Sequence, residues 1–178
     1  MKTKAQAGMI ILALFFLIIL IFFISDINMP TIENITQNMT FTNTTRSNNS
    51  SCSYNNLPYP DFSCTSGQAF SFNDTSVICV KGYTATVRNV SEKLKNEVYA
   101  EYGVISHTTG EYEIDHLIPL ELGGDNDISN LWAEPSNITN GFHEKDKIEN
   151  LLHDRFCNGQ ISLQQAQYDI VYNWTKYI

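Results

Sequence analysis

Basic side chains are scarce in this 178-residue chain, which has 11 lysines and arginines against 19 aspartates and glutamates. The formal net charge is −8, and it becomes −10 when Lys2 and Lys4 of the N-terminal segment are left out. Affinity for a polyanion normally comes from lysine and arginine side chains that displace counterions. The composition therefore excludes a broad basic surface, and a polyanion site would need local basic residues or a metal ion.

Cysteine is also infrequent, and the absence of any CxxC pair argues against a zinc site built from cysteine knuckles. All four cysteines follow the N-terminal apolar run: Cys52, Cys64, Cys79 and Cys157. An even number in an exported chain predicts two disulfides, and three pairings are open. If both form, one of them must join Cys157 to the region that holds the other three.

One stretch lacks polar residues altogether, namely the run from Met9 to Ile24, which follows Lys2 and Lys4. Its length lies between a signal-peptide core and a membrane span, and the basic N-terminal side predicts export of the remainder. Because no good small-x-small cleavage site follows, we predict an uncleaved signal anchor over residues 1–25, with a cleaved signal peptide as the alternative. The domain would then lie outside the cytoplasm, attached to the cell membrane or secreted.

Residues 26–51 are dominated by Thr, Asn and Ser without apolar periodicity, which predicts a disordered stalk. Asn-x-Ser/Thr matches occur in the stalk and beyond it, and they predict a glycoprotein if the host glycosylates asparagine. No internal repeat is visible. We place the folded domain at residues 52–178 and its core at 108–157.

The domain has the pattern of an α+β fold. Residues 77–80 and 83–88 are rich in β-forming residues and are separated by a Lys-Gly turn, which predicts two short strands. Helices are expected after the N-cap Ser91, over residues 143–156, and after the capping box that begins at Ser162. Two tryptophans are interpreted as core residues: Trp132 and Trp174.

Residues able to perform chemistry are concentrated between Tyr112 and Trp132. Asp115 and His116 end a β-patterned run, a Gly-Gly turn follows, and Asn130 opens a second short run, so a hairpin would bring the three together. An imidazole with the ordinary pKa of about 6.5 can act as a base at neutral pH. An aspartate is a natural ligand for Mg²⁺ or Mn²⁺, and the Asn130 carbonyl could orient the imidazole.

Two charged features near the hairpin can be interpreted either as functional sites or as ordinary surface structure. The run Asp125-Asn-Asp127 is interpreted as turn chemistry, because the calcium-loop position that needs a bidentate glutamate holds Ser136. The basic residues before the hairpin could face a phosphate or merely solvate the surface. These residues are Lys81, Arg88, Lys93 and Lys95.

His116, Asn130 and His143, separated by 14 and 13 residues, resemble the HNH endonuclease pattern. The sequence of residues 113–124, together with those of Asn130-Leu-Trp132 and residues 145–150, is similar to the sequences of a subgroup of exported HNH-type nucleases. That resemblance would cover most of the folded domain. It implies a ββα-metal fold, in which a hairpin and one helix hold a single divalent cation. Mg²⁺ is the first expectation, with Mn²⁺ or Zn²⁺ as alternatives.

Carried over residue by residue, the resemblance makes His116 the general base, Asp115 a metal ligand and Asn130 the residue that positions the base. His143 is expected as the second metal ligand. Three alternatives lie on the same stripe of the predicted helix: Asp146, Asn150 and His153.

The function implied is that of an endonuclease outside the cytoplasm that hydrolyses DNA, with RNA as an alternative substrate. The membrane would be contacted through the N-terminal helix, and no protein partner is predicted. A function of another class stays open, namely a catalytically silent, glycosylated surface module that keeps the fold for binding. The acidic charge favours that rival, whereas the intact Asp-His pair and Asn130 favour the enzyme.

Overall fold

The structure, a computed structural model, describes residues 51–178. The predicted signal anchor at 1–25 and all of the predicted stalk except Ser51 lie outside the described residues. No helix within residues 51–178 combines the length and the hydropathy that a membrane crossing requires.

Four helices and one two-stranded sheet form the described part of the chain. In chain order the elements are a 3-10 helix at Thr75–Cys79, α1 at Tyr83–Val87, α2 at Glu92–Glu101, β1 at Tyr112–His116, 3-10 turns at Leu120–Leu122 and Ile128–Asn130, β2 at Leu131–Pro135, α3 at Phe142–Cys157, α4 at Leu163–Tyr172, and a 3-10 helix at Trp174–Tyr177. The strands are antiparallel, with Tyr112 opposite Pro135 and His116 opposite Leu131. The expected mixture of helices and strands is thus confirmed.

The predicted helices begin where their capping residues indicate. The Ser91 hydroxyl accepts a hydrogen bond from the Leu94 backbone N–H at 3.2 Å, and the Ser162 hydroxyl accepts one from Gln165 at 3.1 Å. Each bond satisfies one backbone donor that the first helical turn would otherwise leave unpaired. Helix α3 extends one residue beyond each end of the predicted range.

The prediction of two strands at 77–80 and 83–88 is wrong, because these segments contribute to the first 3-10 helix and to α1. Their burial does not match that of a strand, because Ile78 is 2% exposed whereas Val80, two residues further on, is 62% exposed. The Asp74 carboxylate also accepts a hydrogen bond from the Ser76 N–H at 2.9 Å and caps the 3-10 helix. A local cap with a single buried anchor therefore prevails over intrinsic β preference.

Two apolar clusters support the hairpin. The larger packs α3 and α4 against the loop after β1, and its buried members include Leu117, Ile118, Leu152 and Trp174. The smaller packs α2 against β2 around Val98, Tyr102 and Trp132. Both tryptophans belong to the core, as predicted, with exposures of 0% for Trp132 and 1% for Trp174.

Two disulfides form, as the cysteine count predicts. Cys52 pairs with Cys64, and Cys79 pairs with Cys157. The second bridge attaches the first 3-10 helix to the C-terminal end of α3 across 78 residues of sequence, and this segment contains the whole hairpin. It therefore restricts the unfolded chain far more than the first bridge, which spans 12 residues.

Removing the Cys79–Cys157 bridge should destabilise the domain more than removing the Cys52–Cys64 bridge. Loop-closure entropy predicts losses of about 4.5 kcal/mol for Cys79→Ser/Cys157→Ser and about 3 kcal/mol for Cys52→Ser/Cys64→Ser. Urea unfolding of both double variants measures the difference. Equal losses would show that native contacts, and not the length of the closed loop, determine the contribution of each bridge.

Candidate active site at the end of the hairpin

His116 is the last residue of β1 and is only 3% exposed. Its Nε2 lies 3.3 Å from Oδ1 of Asn126. The Asn126 amide has a fixed orientation, because its Nδ2 donates to the Val87 carbonyl at 2.8 Å and its Oδ1 accepts from the Asn89 N–H at 3.0 Å. An accepting oxygen opposite Nε2 requires that Nε2 carry the proton. The lone pair of the neutral ring is therefore on Nδ1.

The surroundings of His116 keep the imidazole neutral. Burial lowers the pKa of His116 below its ordinary value of 6.5, although the charge of Asp115 and the hydrogen bond to Asn126 oppose this effect. The positive charges of Arg88 and Lys145 lower this pKa further. At neutral pH the ring is therefore in the form that can accept a proton.

Asn130 is fully buried and organises the loop between the two strands. Its Oδ1 accepts from the Ile118 N–H at 2.9 Å and from the Gln68 N–H at 3.4 Å, and its Nδ2 donates to the carbonyls of Ile118 and Asp125 at 3.0 and 2.9 Å. The residue that contacts the imidazole directly is Asn126. Asn130 acts on His116 only through the loop that carries Asn126.

The Gly-Gly turn makes this loop sterically feasible. Gly123 has a φ of +80°, in the left-handed region that favours glycine. A Cβ on Gly124 would lie 1.7 Å from the Ile118 carbonyl oxygen and 2.9 Å from Nδ2 of Asn130. The loop can thus close onto Ile118 and Asn130 only when position 124 has no side chain.

Lys145 of α3 places a buried ammonium beside Asp115. Its Nζ lies 2.5 Å from Oδ2 of Asp115 and 3.0 Å from the His116 carbonyl oxygen, and it also contacts Oε1 of Glu149. The Lys145 side chain is 2% exposed, and those of Asp115 and Glu149 are 14% and 12% exposed. The ammonium therefore joins α3 to both the side chain and the backbone at the end of β1.

Glu134 of β2 adds a further carboxyl group to this cluster. The residue is 0% exposed, and within residues 51–178 neither carboxyl oxygen accepts a hydrogen bond, whereas the protonated carboxyl group donates one to Asp115. Burial, together with the charge of Asp115, raises the pKa of Glu134 well above 4.5. Burial therefore favours the protonated form of Glu134, which leaves no uncompensated buried charge.

The other groups of the cluster are shifted by the same contacts. Burial has the largest single effect and would raise the pKa of Asp115, but the Lys145 ammonium, the hydrogen bond from Glu134 and the charge of His116 together hold it below 3.8. Burial raises the pKa of Glu149 to about 8, against the effect of Lys145. Burial alone would lower the pKa of Lys145, but Asp115, Glu149 and Glu134 raise it well above 10.5. Lys145 and Asp115 thus form the ionised pair of this cluster.

Within residues 51–178, none of His143, Asp146 and His153 forms a group of three ligand atoms with Asp115. His143 is exposed in the first turn, with its ring 4.2 Å from that of Phe142. Asp146 and Asn150 are also exposed. His153 is directed away from solvent, since its Nε2 lies 3.3 Å from the Ile78 carbonyl oxygen.

A metal ion held at Asp115 therefore does not fit this arrangement of donors. Within residues 51–178, the one group of three or more His, Cys, Asp or Glu ligand atoms lying within 4.8 Å of one another is Cys79, His153 and Cys157. Both sulfur atoms of that group belong to a disulfide, so they are not thiolate ligands. Asp115 itself already neutralises Lys145.

A groove of about 490 Å³ lies along the outer side of the hairpin. Arg88 and Lys95 supply its positive charge, so two of the four basic residues noted in the sequence share one cavity. The other lining residues are Tyr99, Gly110, Tyr112, Glu113, Ile114, Phe142 and His143. His116 does not line the groove, but the charge of Arg88 is among the smaller effects that lower the pKa of His116.

Comparisons of the chain with protein-family models, with curated proteins and with solved structures found no match. The function must therefore be argued from the arrangement of the residues and from the sequence resemblance to HNH-type nucleases.

Lys145→Met should destabilise the protein by about 3–5 kcal/mol, because it leaves the buried carboxylate of Asp115 without its cation and the carboxyl group of Glu149 without its hydrogen bond. Glu134→Gln should change stability by less than about 1 kcal/mol, since glutamine has the shape and the charge of a protonated glutamate. Urea unfolding with the disulfides intact measures both effects. A loss in Glu134→Gln as large as that in Lys145→Met would mean that Glu134 is ionised and shares the ammonium.

Proposed function

We propose that the domain is an endonuclease of the HNH type that hydrolyses phosphodiester bonds in nucleic acid outside the cytoplasm. DNA is the proposed substrate, with RNA as the alternative. The observation that carries the proposal is the state of His116, a neutral imidazole with a free Nδ1 at the end of a hairpin that is followed by a helix. The sequence resemblance supports the same assignment.

In the proposed reaction Nδ1 of His116 accepts a proton from a water molecule, whose oxygen forms a bond to phosphorus while the bond from phosphorus to the leaving oxygen breaks. The leaving oxygen takes a proton from solvent, and the imidazolium returns its proton to solvent. Asn126 holds Nε2–H and so fixes which nitrogen is basic. Lys145 fixes the backbone carbonyl of His116 and thereby the position of the ring. No step is assigned to a metal ion, because the ligand set at Asp115 does not fit one.

Substrate binding is assigned to the groove that Arg88 and Lys95 line. Arg88 and Lys95 provide local positive charge for phosphate groups on a chain whose net charge is −8. Glu113 lies in the same groove and offsets part of that charge. We therefore expect modest affinity that falls steeply as the salt concentration rises.

The location outside the cytoplasm is proposed from the N-terminal sequence and the disulfides. Two disulfides in a domain of this size are typical of an oxidising compartment. Attachment to the membrane would come from residues 1–25.

A binding module without catalytic activity is the second candidate. The observation that favours it is the Lys145–Asp115 pair, which satisfies Asp115 without a catalytic role. The groove would then bind its ligand without chemistry. The two candidates differ in a single respect that an assay can measure, namely cleavage that depends on His116.

Full-length protein incubated with supercoiled plasmid DNA should produce nicked and linear forms, and His116→Ala should lower the rate by about 10²- to 10⁴-fold. Thermal unfolding of the variant checks that it is folded. Parallel reactions with Mg²⁺, Mn²⁺, Zn²⁺ or a chelator test the metal requirement. Equal rates for the wild type and a folded His116→Ala would refute His116 as the base, and no cleavage under any condition would favour the binding module.

Arg88→Ala and Lys95→Ala should weaken DNA binding, whereas their matched controls should not. Arg155→Ala removes an arginine placed over the Tyr177 ring, and Lys93→Ala removes an α2 lysine that is 88% exposed. Neither control residue lines the groove. Fluorescence anisotropy with a labelled oligonucleotide at low salt measures affinity. Equal effects of the groove variants and the controls would mean that only net charge matters.

A further inference from the structure

We propose that the ammonium of Lys145 is the resident cation of this site and takes the place beside Asp115 that a divalent metal ion would otherwise hold. This inference goes beyond the proposed function, and it holds or fails whether or not the protein cleaves DNA. It concerns which cation the end of β1 binds.

The contacts of Lys145 are complete. An ammonium group has three N–H donors. Three acceptors surround this one, namely Oδ2 of Asp115, the carbonyl oxygen of His116 and Oε1 of Glu149. Every donor thus has a partner, and the side chain that carries them is 2% exposed.

The Lys145 ammonium occupies the position beside Asp115 that a metal ion bound to this carboxylate would need. A cation at this point neutralises Asp115 and is in contact with the backbone of His116, so it joins the base to the neighbouring carboxylate. A divalent ion brought to Asp115 would lie within a few ångströms of the ammonium and would be strongly repelled in a buried site of low dielectric constant. Metal binding at Asp115 therefore requires that Lys145 leave its three partners.

Glu134 is the feature that could contradict this assignment. Its two buried oxygens belong to the same cluster, and its carboxyl group is hydrogen-bonded to that of Asp115. Together with Asp115 and Glu149 it would offer a third carboxylate to a divalent ion. The proposal therefore requires that Glu134 contribute nothing to metal binding while Lys145 is present.

The test is Mn²⁺ binding to the chelator-treated full-length protein, followed through the electron paramagnetic resonance signal of free Mn²⁺. The expected result is that the wild type, Asp115→Asn and Glu134→Gln bind Mn²⁺ with equal affinity. Glu97→Gln, which changes an exposed α2 carboxylate 3.5 Å from Lys93, is the control for nonspecific binding. Lys145→Met should bind Mn²⁺ at least about tenfold more tightly, because the repelling charge is gone. Lys145→Met/Asp115→Asn should lose that gain.

Weaker binding in Asp115→Asn or Glu134→Gln than in Glu97→Gln would overturn the proposal, because the cluster would then hold a metal ion beside the ammonium. A folded Lys145→Met without gain would overturn it as well. If Lys145→Met does not fold, the comparison of wild type with Asp115→Asn and Glu134→Gln still decides. Since binding and not cleavage is measured, these outcomes are independent of the plasmid assay.

Discussion

The arrangement of this site depends on the buried ammonium of Lys145. It is the point at which helix α3 and strand β1 are joined by charge, through Asp115, and by a backbone hydrogen bond, through the His116 carbonyl. Apolar packing beneath the hairpin supplies the free energy of burial, but it does not by itself fix the direction of a polar side chain. The ammonium gives the end of β1 one position relative to α3.

The loop between the strands provides the second constraint on His116. Gly124 allows the chain to pass within contact distance of Ile118. Around this contact the Asn130 side chain makes four hydrogen bonds to backbone groups. The loop then carries Asn126 to Nε2 of the imidazole. His116 is therefore held from its backbone by Lys145 and from its ring by Asn126, and only Nδ1 is left without an assigned partner in the described residues.

Much of the fold follows from local sequence patterns. Ser91 and Ser162 cap their helices as predicted, and the paired β-patterned runs form the hairpin, because each of these signals is local. The strands predicted at 77–80 and 83–88 do not form, since strand formation requires a partner that the sequence pattern does not specify. The pairing of Cys79 with Cys157 likewise depends on three-dimensional proximity, and the sequence left three pairings open.

The site was predictable in its residues but less so in its contacts. Asp115, His116 and Asn130 lie at the same end of the hairpin, but the side chain that contacts the imidazole is that of Asn126, which the sequence indicates only as part of a turn. In the sequence, Lys145 is only one residue of the stretch 145–150 that resembles HNH-type nucleases, and nothing in its spacing indicates that it is buried. A buried lysine needs acceptors from other elements, and these are known only once α3 lies against β1.

His116 is held as a neutral base with its lone pair on Nδ1. Nitrogen-15 NMR of the histidine rings, with His116→Gln used to assign the signals, measures it most directly. We expect His116 to be protonated at Nε2 alone at neutral pH and to titrate below pH 6.5, because burial lowers its pKa. A proton on Nδ1, or a titration at or above pH 6.5, would contradict the account.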